Sequence, residues 1–142
     1  MLEESRPVNL NLQLDWRKKL NESIQKGFNF NTNWNSVVQK HLDPIFEKFS
    51  IQTILEIGSF EGQSACYFSK KITNGEIHCL DTWKGDEDLR EKKMDFNIIE
   101  RNFDKNIKLA NEMKPSVNFL KYKNESYKQL SQFIAQGKEN FF

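Results

Sequence analysis

Thr53-Ile54-Leu55-Glu56-Ile57-Gly58-Ser59-Phe60-Glu61-Gly62-Gln63-Ser64 decides the fold of this chain. Its first five residues are a compact, largely apolar run with β-branched content, the pattern of a buried strand. Gly58 and Gly62 then break the run, and residues 63–72 read as a helix. Asn74-Gly75 is a turn signal, and residues 76–81 form a second buried strand ending in the acid Asp81.

The alternation continues outward. Thr82 to Asp88 is a polar loop containing Gly85, and a long amphipathic helix follows with Phe96, Ile99, Phe103, Ile107 and Ala110 on one face. Pro115 ends that helix. Residues 117–122 form a third strand and residues 126–135 a third helix, with Tyr127, Leu130, Phe133 and Ile134 expected inward and Gly137 as its cap. From residue 51 the order is β-α-β-α-β-α, which implies parallel strands joined by right-handed crossovers. The fold class is α/β: a Rossmann-like doubly wound parallel sheet, incomplete at about three strands with flanking helices.

An N-terminal helical segment precedes it. Residues 1–33 are polar and weakly patterned, with Trp16, Phe28 and Phe30 as anchors. Trp34, Val37, Val38, Leu42, Ile45, Phe46 and Phe49 then make a stripe of period near 3.6. Asp43-Pro44 suits an N-cap followed by proline at the first helical position, so two short helices or one kinked helix are expected. The division is residues 1–50 for this extension and 51–142 for a partial cofactor-binding domain. The chain stops where a fourth strand should begin, which leaves the strand at 53–57 with an open edge. A fragment, or a covering partner chain, is the expectation.

Composition narrows the classes of function. With 142 residues, 29% of them charged and a net charge of +1, the chain has room for one modest core and no bulk attraction to nucleic acid or anionic membrane. Most of the 12 phenylalanines are expected in that core. No apolar run approaches the roughly 20 residues of a membrane helix, and the N-terminus lacks a secretory pattern. A cytoplasmic location follows as an expectation. Cys66 and Cys79 read as buried, reduced thiols, and the sequons at Asn21 and Asn124 as chance matches. His41 falls on a polar helix face and His78 within a strand; with no third ligand in view, no metal site is expected. Glu61, Asp86 and the Asp86-Glu87-Asp88 run read as solvated.

The glycine turn carries the chemistry. A ligand at the carboxyl end of the first strand needs backbone that bends sharply with no Cβ in the way, and Gly58 and Gly62 supply it. Free amides opening the next helix can hold an anionic group, and Ser64 can add its hydroxyl. Glu56 is placed to accept from an amine or hydroxyl. Asp81, 19 residues past Gly62, reaches the tip of the adjacent strand, where a carboxylate can accept both hydroxyls of a ribose. A dinucleotide fingerprint needs G-x-G-x-x-G, whereas Phe60 stands two residues after Gly58, and no G-K-[ST] follows. A cofactor with adenosine and no phosphates fits better.

Glu56 to Ser64 resembles the first motif of class I S-adenosylmethionine-dependent methyltransferases, in the small-molecule O-methyltransferase-like branch that reads E-[IL]-G-x-x-x-G-x-S. Asp81-Thr82-Trp83-Lys84-Gly85-Asp86 is similar to the D-T-W-x-G-D region of one group in that branch, and Phe103 to Asn106 and Asn124 to Ser126 also fit it. The resemblance spans roughly residues 28–142. It implies that Glu56 and the Gly58 backbone hold the methionine amine, and that Ser64 with the amides of the turn through Ser59, Phe60 and Gly62 holds its carboxylate. It further implies that Asp81 binds the ribose, that Thr82 and Trp83 border the adenine, and that Glu125 and Ser126 approach its other edge. The family's fourth strand, with its I-D-G-S-H-like segment, has no counterpart, so no catalytic residue is assigned.

The resulting expectation is methyl transfer from S-adenosylmethionine to a small-molecule acceptor, most simply O-methylation. Two rivals stay open: a non-catalytic fragment that needs a complementing chain or a homo-oligomer, and a nicotinamide-dependent oxidoreductase.

Overall fold

The computed structural model describes residues 22, 26–31, 35–87 and 93–142. Trp16 and Trp34 lie outside the described residues, as do the side chain of Val37 and all of Asp88. Among the described residues, four helices and three strands follow one another: α1 (Asn35–Lys48), β1 (Thr53–Ile57), α2 (Gln63–Lys71), β2 (Gly75–Asp81), α3 (Phe96–Met113), β3 (Val117–Lys123) and α4 (Ser126–Ala135). The strands form one parallel sheet in the order β1-β2-β3. Among the described residues, β1 pairs only with β2, so its outer edge is open.

Side chains alternate across a strand, so β2 divides its neighbours between two faces. Ile77 and Cys79 point into a core shared with Tyr67 and Phe68 of α2, Ile99 and Phe103 of α3, and Val117 of β3. His78 points the other way, where its ring meets Phe133 of α4 edge-on and stacks on Tyr122. Helices therefore flank both faces. Coverage of the α4 face is thin: Ile57 is 54% exposed, Tyr127 64% and Ile134 56%. Tyr127 and Ile134 were expected inward. Phe133 and Gln129 are instead the buried residues of α4.

Proline does not divide the first helix. Asn35–Lys48 is one helix with Pro44 inside it, and Asp43 is no cap. Its carboxylate instead accepts from the Tyr67 hydroxyl and pairs with Lys71 at 2.8 Å, pinning α1 to α2 where proline removes a backbone hydrogen bond. Leu42 and Phe46 pack on the core, while Ile45 and Phe49 of the same stripe are exposed.

Candidate cofactor site

The β1–α2 turn is built from left-handed backbone. Gly58 has φ 84° and Gly62 φ 77°, and between them Phe60 adopts φ 50°, a conformation that side chains with a Cβ rarely take. The Gly58 amide donates to the Leu80 carbonyl at 2.8 Å, which extends the β1–β2 ladder one residue past β1. That bond sets the bend directly beside the tip of β2. On the other side, the Asn124 amide donates to the Asp81 carbonyl at 3.1 Å. Three chain segments thus converge on Asp81.

The Asp81 carboxylate joins two of them. One oxygen accepts from the Phe60 amide at 2.9 Å and the other from the Trp83 amide at 2.8 Å. A carboxylate has about four lone-pair sites, so two hydroxyls can still be accepted alongside these amides. The arrangement explains why Phe60 tolerates its strained φ: the amide is held by Asp81, and the carbonyl accepts from the Trp83 indole at 2.8 Å.

Two residues are placed differently from expectation. Trp83 is 4% exposed and packs on Phe103, with the Lys121 ammonium 4.6 Å from its ring centroid. Its indole is a core element that ties the loop to the turn, leaving little face for adenine. The Phe60 ring also turns into the core, so it does not itself crowd the ligand side. What opposes a pyrophosphate there is the Phe60 amide, already occupied by Asp81.

Glu56 closes the base of the turn. The residue is half-buried, yet its Oε2 is sealed from solvent and has no hydrogen-bond partner, and the buried Ser59 Oγ is also unpartnered. The Ser59 and Ser64 hydroxyls lie beside the carboxyl and offset only part of the cost of burying it. Burial, with a smaller contribution from the Asp81 charge, raises the Glu56 carboxyl from 4.5 to about 8. A Cβ built on Gly58 would meet nothing within 4 Å, so the chain leaves room at the bend. At Gly62, by contrast, a Cβ would crowd Phe103 at 3.0 Å, which makes that glycine a packing requirement. An orphaned carboxyl oxygen, an orphaned hydroxyl and an open glycine bend thus fall within four consecutive residues at the carboxyl end of β1.

The remaining expected residues lie at the rim. Thr82 accepts from the Lys84 amide at 3.2 Å. Glu125 and Ser126 are exposed at the start of α4, one and two residues past the amide that grips Asp81, and Glu125 pairs with Lys128 at 2.6 Å. Glu125 occupies the N-cap position of α4, and its side chain makes no cap bond.

Glu61 is the residue sequence reasoning missed. It is 1% exposed, and its carboxylate accepts from the Asn31 amide and the Asn31 side chain, both at 2.7 Å, and from Asn102 at 3.0 Å. Asn106 adds to this clamp, accepting from the Asn29 amide and donating to the Asn29 and Glu61 carbonyls, each at 2.8 Å. Residues 29–31 are thereby strapped to the glycine turn. The partners lie 30 to 77 positions away in sequence, so no local pattern announces them.

A cleft of about 410 Å³ lies elsewhere, lined by Phe46 to Gln52 and Lys71 to Asn74 at the amino end of β1. Ligands of open α/β sheets bind outside the carboxyl ends of the strands, and the convergent polar groups are there. Among the described residues, no group of three or more His, Cys, Asp or Glu side chains could hold a metal ion, and no helix is long and apolar enough to cross a membrane. No protein-family model, curated protein or solved structure matches the chain.

Proposed function

We propose that the chain carries the cofactor-binding region of a class I S-adenosylmethionine-dependent methyltransferase acting on a small-molecule acceptor, most simply at oxygen. The single observation that carries the reading is the Asp81 carboxylate held between the Phe60 and Trp83 amides, next to the open Gly58 bend. An acid at the tip of β2 answers a ribose, and the orphaned Glu56 and Ser59 groups answer an amine. The occupied Phe60 amide disfavours a pyrophosphate and with it the nicotinamide reading. When bound, the cofactor would supply an activated methyl group. The protein's contribution would be positioning, with Glu56 and Ser59 toward the amine, the start of α2 and Ser64 toward the carboxylate, and Asp81 toward the ribose.

Isothermal calorimetry with S-adenosylhomocysteine tests this. Saturable binding is expected, and Asp81→Asn, which keeps the side-chain shape, should weaken it at least tenfold. Binding of NADH in preference, or an Asp81→Asn variant of unchanged affinity, would contradict the ribose assignment.

A further inference from the structure

The base of the proposed site holds a buried carboxyl oxygen without a hydrogen-bond partner. Glu56 Oε2 and Ser59 Oγ are both buried without partners at the carboxyl end of β1. An ionised carboxylate in that position would be stranded, since a buried charge needs a counter-charge or several donors. The titratable groups around it offer neither. Asp81 and Cys79 face it from β2 and Cys66 faces it from α2; only the Ser59 and Ser64 hydroxyls bring donors near. From α3, Phe103 and Ile107 close over Gly62. None of these groups is a cation.

We infer that the Glu56 carboxyl is uncharged before the cofactor binds, and that capture of the cofactor's primary ammonium ionises it and releases one proton to solvent. The inference rests on the cofactor reading above and adds a pH dependence to it. The step balances: the carboxyl O–H bond breaks, its proton passes to the buffer, and the ammonium keeps its three protons while pairing with the new carboxylate. Burial raises the free carboxyl to about 8, so at neutral pH the protonated form dominates. The bound form prefers the anion, so affinity must rise with pH until that value is passed.

The experiment is calorimetry of the 142-residue chain with S-adenosylhomocysteine, from pH 6 to pH 9, in phosphate and in Tris. Affinity is expected to rise about tenfold per pH unit between 6 and 8 and then level off. The observed heat should differ between buffers by the ionisation heat of nearly one proton at pH 7. Glu56→Gln, neutral and nearly isosteric with the protonated acid, should bind more weakly, with neither pH slope nor buffer dependence. Wild-type binding with the same affinity at pH 6 and pH 8 would overturn the inference and leave the cofactor reading standing. A Glu56→Gln variant that keeps the slope would overturn it too, because another group would then release the proton. No binding at any pH would bring down the cofactor reading, and this inference with it.

Discussion

Gly58 and Gly75 both have positive φ, for different physical reasons. A Cβ at Gly75 would stand 1.9 Å from the Gln52 carbonyl oxygen, inside the backbone of the loop that enters β1. Gly75→Ala should therefore destabilise by at least about 3 kcal/mol in denaturant unfolding. Gly58 faces open space, so Gly58→Ala should cost only the left-handed strain of about 1–2 kcal/mol while weakening S-adenosylhomocysteine binding. A Gly58→Ala variant of unchanged affinity would show that nothing approaches the bend closely. Glu56 adds a pH signature of its own. Its folded-state value is raised from 4.5 to about 8, so its stabilising effect is complete below about pH 4.5 and is lost as pH rises toward 8. Glu56→Gln should make the protein more resistant to denaturant than wild type at pH 9 and leave the two alike at pH 5. The positions of Gly58 and Asp81 were legible because turn chemistry and a strand-ending acid are local signals. The burial of Glu61 was not, because a glutamate inside a loop looks solvated until its distant amide partners are seen.

At the scale of elements, long-range side-chain hydrogen bonds join segments far apart in sequence. The strap at residues 29–31 is held by Asn106 and Glu61, and Phe28 beside it stacks on Phe30 and packs with Cys66 and Ala110. Asn106→Ala would leave the Asn29 amide and two carbonyls unpaired, at about 3 kcal/mol, read as a lower denaturant midpoint. An unchanged midpoint would mean that water replaces the clamp. The α3 start was also written locally: the Asp95 side chain accepts from the Asn97 and Ile98 amides, an N-cap the sequence reading passed over. Pro44 left two short helices and one kinked helix both open, and a single helix with Pro44 inside it is what forms. Proline usually limits a helix, but the Asp43 contacts to Tyr67 and Lys71 belong to tertiary structure, and no periodicity reveals them.

At the scale of the whole molecule, the described residues put α1, α2 and α3 against one face of a three-stranded parallel sheet and α4 against the other. The β-α order was readable from alternating apolar runs and glycine punctuation, and the observed strand order follows from it. What the pattern did not convey was depth. β1 is only half-buried, and Tyr127 and Ile134 are exposed, because a sheet this narrow cannot cover every apolar side chain its helices carry. The two thiols report on the integrity of the core. Cys66 and Cys79 are buried, and burial pushes the Cys66 thiol up to about 12 and Cys79 well above its usual value. At pH 8 both should resist a thiol reagent in the folded chain and react together on unfolding; fast labelling of either in native buffer would show a looser core.

The central claim is that the β1–α2 turn and the tip of β2 form one nucleoside-binding place. Its most direct test is a titration of the isotopically labelled chain with S-adenosylhomocysteine, followed through backbone amide resonances. The amides of Gly58, Ser59, Phe60 and Trp83 should shift together and saturate at one concentration. Shifts confined to residues 46–52 and 71–74, or no shifts at all, would contradict it.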